Sequence, residues 1–296
     1  MQKRTLGTSS LTISEIGLGC MSLPKDYTAA KPIVFEALAQ GITYFDTADL
    51  YDFGANEEIV GKLVKGERHN LTIATKVGNR FTKGEDGWHW DASPAYIEQA
   101  VQDSLRRLGT DYIDLYQLHG GTIDDDFDAI IEVFERLKKA GTIRAYGISS
   151  IRPNVIERFL PSATAASIMM QYSLLDRQPE EFFDFIEAQG TSVVTRGTLA
   201  KGLLTNEWQQ RAQAYGSYTE EEIQLTLQQL KEIYRDIHAL ALAFNLQHSA
   251  IASTVIGASK TAQLTETIQA YERAQHITDL TQANALTQLQ RYSAHR

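Results

Sequence analysis

The sequence predicts a closed (β/α)8 TIM barrel preceded by an N-terminal β-hairpin. Eight short apolar or β-branched runs recur along the chain, and a stretch with helical periodicity lies between each successive pair. In order, the runs read EIGLG, ITYFD, LTIATK, YIDLYQLH, IRAYGIS, ASIMM, TSVVT and STVIG. The alternative is an open doubly wound sheet, but its GxGxxG fingerprint is absent after the first run, where the chain reads GLGCMS. Eight successive β–α units therefore favour the barrel.

The elements between the runs have clear ends. The opening KRTLG-TSS-LTIS predicts the hairpin. One helix begins with Ser93 as N-cap and Pro94 as its first residue, and it stops at Gly109. A later helix, with apolar residues at helical spacing from Ile130, ends in a pair of lysines followed by Gly141.

Composition restricts the class of protein. The chain has 296 residues, of which 43% are hydrophobic, and it contains no low-complexity linker, so we expect one domain over residues 1–296. A net charge of −9 without a basic run argues against nucleic acid and membrane partners. MQKRTLGTSS lacks the apolar core of a signal peptide, and the single cysteine, Cys20, suits a reducing compartment. These features predict a cytoplasmic enzyme.

Four proton-active residues lie at or just after the ends of strand-like runs: Asp46, Tyr51, Lys76 and His119. In a parallel barrel such positions meet at one rim, where catalysis occurs. A buried lysine needs a compensating carboxylate, and Asp46 on the preceding strand is placed to supply it. The ammonium is then expected to lower the pKa of the Tyr51 phenol, which describes a general acid for reducing a carbonyl.

Taken singly, each residue has a structural explanation, because a loop tyrosine, a strand-end lysine, a turn aspartate and a core histidine are all common. A lyase with Lys76 as a Schiff-base nucleophile is a second alternative, although an ion-paired ammonium is a poor nucleophile. The convergence of all four residues at consecutive strands favours proton handling.

The segments GITYFDTADLYDFGANEEIVGKLV, LTIATKVG and SLRRLGTDYIDLYQLH resemble the defining blocks of the aldo-keto reductases. The likeness runs from the hairpin to about residue 275. It implies NADPH-dependent reduction of a small aldehyde or ketone without a metal. It also implies that Tyr51 is the proton donor, that Lys76 with its partner Asp46 tunes it, and that His119 orients the substrate. A cofactor-binding regulatory subunit on the same fold is the alternative function.

The resemblance also implies two ends of a cofactor site. At the phosphate end, the turn at a helix start offers backbone N–H groups, and Lys260 suits a 2′-phosphate; the residues implied are Gly257, Ser259, Lys260, Gln263 and Glu266. Two positions depart from the family, since Thr267 replaces an asparagine and Ser259 stands where many members have arginine.

At the nicotinamide end, more positions differ from the residues that are usual in the family. Only Ser149 keeps the family residue, while Ser150, Met169 and Arg196 replace an asparagine, a glutamine and an aromatic. A guanidinium can still stack on a ring. The remaining implied cofactor contacts are Gly19, Cys20, Met21, Asp46, Gly197 and Leu199.

The Gly-rich loop GEDGWHWDASP follows the third strand and overhangs the barrel mouth. Trp88 and Trp90 in this loop are expected either to wall a substrate pocket or to pin the loop to the barrel. With Tyr51 and His119, Trp88 completes the predicted substrate-binding set.

Overall fold

Eight parallel strands close into a barrel in the computed structural model, which describes residues 1–82 and 84–296. Numbered along the chain, the strands are β1 (Lys3–Thr5), β2 (Thr12–Ser14), β3 (Ile16–Gly19), β4 (Tyr44–Asp46), β5 (Thr72–Val77), β6 (Asn79–Arg80), β7 (His89–Trp90), β8 (Ile113–Leu118), β9 (Ile143–Ser149), β10 (Ser167–Gln171), β11 (Ser192–Arg196) and β12 (Ile251–Gly257). The barrel order is β3-β4-β5-β8-β9-β10-β11-β12, and β12 pairs back onto β3. The predicted fold class is confirmed.

The N-terminal hairpin closes the bottom of the barrel. Strands β1 and β2 pair antiparallel, with Lys3 opposite Ser14. Leu6, Leu11 and Ile13 of this segment belong to the same buried cluster as the residues inside the barrel. Because this plug covers the amino ends of the strands, the carboxyl ends remain as the open mouth.

Helices cover the outside of the barrel at the positions predicted from periodicity. They are α1 (Tyr27–Ala39), α2 (Ala55–Val64), α3 (Pro94–Leu108), α4 (Phe127–Lys139), α5 (Pro153–Phe159), α6 (Phe183–Ala188), α7 (Glu220–Tyr234), α8 (Ile237–Leu246), α9 (Thr261–Ala274) and α10 (Thr281–Leu286). At the start of α3 the Ser93 side chain accepts from the Tyr96 N–H, and the helix ends at Gly109 with φ 63°. Among the described residues, no helix is both long and apolar enough to cross a bilayer.

Side chains alternate between the two faces of each barrel strand, and the two faces contribute to two separate buried layers. The larger cluster packs between the barrel and its helices, and the smaller one fills the barrel with residues such as Tyr44, Ala74 and Leu115. Two positions further along β4 and β5, on the same inward faces, lie Asp46 and Lys76. The alternation that fills the barrel therefore directs these polar side chains into its mouth.

The loop after β5 forms a short hairpin of β6 and β7 that is fixed by one of its tryptophans. Trp90 Nε1 donates to Asp125 Oδ1 at 2.9 Å. Its ring lies so close to Gly78 that a Cβ there would come within 2.6 Å of it. Gly78 has φ 128°, so both the close approach and the backbone conformation require glycine.

Candidate active site

The centre of the barrel mouth is a buried ion pair. Lys76 Nζ lies 2.6 Å from Asp46 Oδ1 and also donates to the Thr47 carbonyl at 2.7 Å. Lys76 is 1% exposed and Asp46 4%. A charge with so little access to water is stable only when it is paired and hydrogen-bonded, and Lys76 has both kinds of partner. The pairing expected from the sequence is present.

Tyr51 is brought over this pair by an unusual turn. Asp52 and Phe53 both have φ near 50°, and Gly54 has φ 90°. Two consecutive non-glycine residues in the left-handed region are energetically costly, and such backbone occurs mostly where a side chain must be aimed. The Tyr51 ring lies 5.1 Å from Lys76 Nζ and 5.9 Å from the His119 ring, edge to face. All four predicted residues therefore meet at one place.

Burial controls the protonation of the tyrosine more than its cationic neighbour does. Desolvation raises the pKa of the Tyr51 hydroxyl, while the Lys76 ammonium acts in the opposite direction and offsets only part of that rise. The sequence predicted a lowered pKa, so the direction differs. The physical reason is that the low-dielectric surroundings penalise the phenolate more than one ion-paired ammonium stabilises it.

The other three groups have defined charges. Burial lowers the pKa of His119 to about 3, with help from the Lys76 and Arg196 charges, so the imidazole is neutral at pH 7. Desolvation alone would lower the pKa of Lys76, but the combined attraction of Asp46 and Tyr51 outweighs it, so the pKa is raised. Burial raises the pKa of the Asp46 carboxyl, and the Lys76 ammonium opposes that rise. We conclude that the pair holds an ammonium next to a carboxylate.

Two polar atoms at the mouth have no hydrogen-bond partner within the described residues: Asp46 Oδ2 and His119 Nδ1. Buried atoms of this kind are normally satisfied, and of these two residues Asp46 lines the adjacent cleft. A cleft of about 1120 Å³ begins here, with Asp46 and Tyr51 in its wall, and reaches Gln263 and Glu266 at the start of α9. A cleft of this volume is large enough for a dinucleotide.

The turn for which the sequence predicts a phosphate site has its backbone N–H groups already bonded to a side chain. The backbone N–H groups of Ser259 and Lys260 both donate to Gln263 Oε1, at 2.9 and 3.2 Å. The sequence predicted free N–H groups at this turn, and this expectation needs correction, because the Gln263 amide satisfies them. A phosphate bound to these N–H groups would have to replace that amide oxygen. A Cβ on the neighbouring Gly257 would lie 2.3 Å from Ser22 Oγ, so the Ser22 side chain would have to move.

The residues implied at the nicotinamide end surround a second, adjoining cavity. Ser149 and Ser150 line that cavity of about 480 Å³, while Met169 and Arg196 line both cavities. Arg196 is exposed and donates to Gln171 Oε1 at 2.9 Å, which fixes its guanidinium at the rim. Met169 is 2% exposed and belongs mainly to the barrel interior.

Most of the other implied cofactor contacts lie on the main cleft, whereas Ser259, Lys260 and Cys20 are not in its described wall. On its wall are Gly19, Met21, Gly197, Leu199 and Gly257. The Cys20 side chain instead points into the outer core, fully buried, and burial raises the pKa of its thiol. Trp88 is 55% exposed and is absent from the described wall of either cavity. Of the two tryptophans, Trp90 pins the loop.

Sequence reasoning missed several residues that the fold brings to the main cleft. Gln171 follows Met169 by two positions on the inward face of β10, so strand parity could have found it. His238 on α8 is 2% exposed, lines the cleft and approaches Thr267 Oγ1 at 3.3 Å through Nε2. No local pattern marks His238, because it sits inside a helix that is buried along its whole length.

Within the described part of the chain, no group of three or more metal-binding side chains comes together. The mouth combines proton-active side chains and a buried ion pair with a long cleft beside them.

The chain belongs to the aldo/keto reductase family, whose sequence profile matches residues 15–287. Carbonyl reduction with a nicotinamide cofactor is the general activity of that family. The chain is 50% identical over 306 aligned residues to the uncharacterized oxidoreductase YqkF of Bacillus subtilis (strain 168), and the alignment covers 100% of both. It is 31% identical to the NADH-specific methylglyoxal reductase of Escherichia coli (strain K12), covering 91% of this chain and 93% of that one.

Among solved structures, the chain is similar to the holo form of the aldo-keto reductase AKR11C1 from Bacillus halodurans. The two share 50% sequence identity with a TM-score of 0.92, and the match covers 100% of this chain and 99% of the other. The likeness extends from the hairpin to the C-terminal segment, so the whole architecture described above is shared.

Proposed function

We propose that this protein reduces a small aldehyde or ketone to the alcohol with NADPH, and that Tyr51 supplies the proton. The observation that carries the proposal is the convergence of Tyr51, His119 and the buried Lys76–Asp46 pair at the end of a dinucleotide-sized cleft. The nicotinamide, when bound, supplies the hydride to the carbonyl carbon. The protein's own side chains must donate the proton, orient the carbonyl and stabilise the charge that develops.

Tyr51 gives its hydroxyl proton to the carbonyl oxygen. Its raised pKa keeps the phenol protonated at neutral pH, which is the form that a proton donor needs. As the proton leaves, negative charge develops on the phenol oxygen, and the Lys76 ammonium is already in place to stabilise it. Asp46 holds that ammonium with a 2.6 Å hydrogen bond and keeps it charged.

His119 is suited to orient the carbonyl. Because its pKa is lowered to about 3, the ring is neutral and offers one N–H donor and one acceptor. A neutral donor can hold the carbonyl oxygen without competing with Tyr51 for the proton transfer. The edge-to-face contact of the two rings at 5.9 Å keeps the imidazole next to the phenol.

For the cofactor, the residues present fit the group. We assign the adenosine phosphate to Ser259, Lys260, Gln263 and Glu266, with Gly257 in the floor, and the nicotinamide end to Ser149, Ser150, Met169 and Arg196. Lys260 is exposed at the turn and supplies the cation that favours a 2′-phosphate, hence NADPH over NADH. The E. coli relative is by its name NADH-specific, so coenzyme choice has to be measured for this chain.

The test is the substitution Tyr51→Phe, assayed by NADPH consumption with simple aldehydes and dicarbonyls. Loss of the proton donor should lower kcat by about 10²- to 10⁴-fold while NADPH still binds. Tyr27→Phe, at an exposed tyrosine on α1, is the matched control and should retain full activity. Equal turnover by wild type and Tyr51→Phe would refute the mechanism. Tight NADPH binding with no turnover on any carbonyl would favour a regulatory subunit.

A further inference from the structure

The cavity beside the main cleft has a distinctive charge. We call it the C-terminal cavity, because residues 292–295 form one of its walls; it has a volume of about 480 Å³. Gly120, Arg152, Gln178 and Arg196 lie in the remaining wall. Two guanidinium groups face this space, and no aspartate or glutamate lines it among the described residues. The chain as a whole carries 37 acidic and 28 basic residues, so a purely cationic cavity runs against its composition.

Arg152 is held in place by the loop that carries His119. Its Nη1 donates to the Gly121 carbonyl at 2.7 Å, and Gly121 follows His119 by two residues. Gly121 is buried with φ 112°, and a Cβ there would lie 3.1 Å from Val155 Cγ1. This carbonyl is therefore fixed by both packing and backbone conformation, and it orients the guanidinium that donates to it.

The guanidinium of Arg152 has no carboxylate partner within the described residues, and the Gly121 carbonyl is the one acceptor that its side chain reaches there. Arg152 is half-buried, so its charge is only partly solvated. An arginine fork offers several N–H donors in one plane and binds a carboxylate or a phosphate with two parallel hydrogen bonds. Most of those donors are still free to bind an anion.

The C-terminal cavity adjoins the proposed reaction centre. Met169, Gln178, Arg196 and Ser293 line both this cavity and the main cleft, which contains Tyr51. Gly120, in the cavity wall, directly follows His119. A molecule seated in this cavity can thus extend past the shared wall toward Tyr51.

The C-terminal segment is held in place on the far side of the cavity by two contacts. Arg296 Nη2 pairs with Glu181 at 2.9 Å, and the Asn154 N–H donates to the His295 carbonyl at 2.8 Å.

We propose that the preferred substrates are short aldehydes or ketones that carry a carboxylate or phosphate group, and that Arg152 binds this anion. Arg196, assigned above to the nicotinamide end, adds positive potential from the shared wall, so the nicotinamide and the substrate occupy neighbouring parts of this space. This proposal rests on the reductase function above and specifies its substrate class. It makes Arg152 a specificity-determining residue outside the proton-handling group.

The experiment uses pairs of substrates that differ in charge. The first pair is 4-oxobutanoate and its methyl ester, and the second is glyceraldehyde 3-phosphate and glyceraldehyde, so the two pairs distinguish carboxylate from phosphate. Wild type, Arg152→Met and Arg158→Met are assayed at saturating NADPH. Arg158 is the control because it is a solvent-exposed arginine of α5, 54% exposed, outside the cavity.

In the wild type, kcat/KM should favour the anionic member of at least one pair by about tenfold or more, as expected for hydrogen bonds to a charged group. Arg152→Met should bring that ratio close to one, mainly through KM, and Arg158→Met should keep the wild-type ratio. Thermal unfolding of the Arg152→Met protein verifies that it is folded.

Three results would overturn the proposal. The first is a wild-type ratio near one for both pairs, and the second is an unchanged ratio in a folded Arg152→Met protein. The third is a rise in the KM for NADPH alone in Arg152→Met, which would mean that the arginine holds a cofactor phosphate. Reduction of neutral aldehydes would leave the reductase function intact in each case. Absence of turnover with every carbonyl and both coenzymes would instead refute the reductase function, and this proposal with it.

Discussion

The two ends of the main cleft are built in different ways. At the proton end, Lys76 and Asp46 stand on barrel strands, almost fully buried, and are joined by a hydrogen bond of 2.6 Å. At the proposed phosphate end, Ser259 and Lys260 are exposed on a turn, and Gln263 of α9 accepts from the N–H groups that we assign to a phosphate. The first end is preorganised by burial, whereas the second would have to exchange an internal hydrogen bond for a ligand.

The largest expected effect is at the buried pair. Lys76→Met leaves Asp46 without its cation, and we expect a loss of about 3–5 kcal/mol in the free energy of unfolding, limited by protonation of the carboxyl. The double variant Asp46→Asn/Lys76→Met should lose less than the sum of the single variants. Urea unfolding of the ligand-free protein measures all three.

The matched control is the exposed pair Arg80–Asp91, whose N–O distance is 2.9 Å with Arg80 47% exposed. Arg80→Met should cost no more than about 1 kcal/mol. Equal losses at the two pairs would contradict the expectation that burial determines how much an ion pair contributes to stability.

The second prediction concerns acid stability. The pKa of His119 is lowered from 6.5 to about 3 in the folded protein. Between these pH values the unfolded chain binds a proton that the folded chain does not, so stability falls as pH falls from 6.5 toward 3. The unfolding temperature of the His119→Gln protein should therefore fall less between pH 7 and pH 4 than that of the wild type.

The exposed His276 provides the control for this experiment, because His276→Gln should keep the wild-type pH profile. If His119→Gln is as acid-sensitive as the wild type, the imidazole is not held neutral by burial. Because the His119 imidazole stays neutral, we also expect that the pH profile of kcat/KM shows no inflection due to His119 between pH 5 and pH 8.

The third prediction addresses the phosphate end. Lys260→Ala should raise the KM for NADPH by about tenfold, as for loss of one charge-assisted hydrogen bond, and change the KM for NADH far less. Steady-state kinetics with both coenzymes measure this. Lys139→Ala, at the end of α4, is the control. Similar changes for the two coenzymes would show that Lys260 does not contact the 2′-phosphate.

The smallest effect is expected for the hydrogen bonds that Gln263 Oε1 accepts from the backbone N–H groups of Ser259 and Lys260. Gln263→Ala removes the acceptor for two backbone N–H groups at the start of α9, and we expect the ligand-free protein to lose about 1 kcal/mol. Gln224→Ala on the exposed face of α7, where Gln224 bonds to Glu220, should lose at most about 0.5 kcal/mol. No loss in Gln263→Ala would mean that water satisfies these N–H groups equally well.

The fold and the proton end could be predicted from sequence because both depend on local periodicity. Alternation along β5 places Lys76 on the face of Ala74, and the same rule on β4 places Asp46 above Tyr44. The ends of α3 could likewise be predicted, since Ser93 and Gly109 act through their immediate neighbours. In each case the signal lies within a few residues of the structure it specifies.

The remainder of the site depends on contacts between distant segments. His238 and Thr267 are 29 residues apart, and Arg177, near the C-terminal cavity, bonds to Thr287, 110 residues away. No periodicity encodes such pairs. The expectation of free N–H groups at residues 259–260 needed correction for a related reason, since the side chain that satisfies them is visible only once the turn is folded.

The sequence by itself determined the barrel, its hairpin and the inward direction of the strand-end polar residues, because strand alternation and helix capping act over a few residues. Only the tertiary structure decided that burial raises rather than lowers the pKa of Tyr51, because desolvation depends on everything packed around the phenol. It also decided that Arg152 faces a cavity without a carboxylate partner among the described residues, because that cavity exists only where the loops after β8 and β9 meet the C-terminal segment.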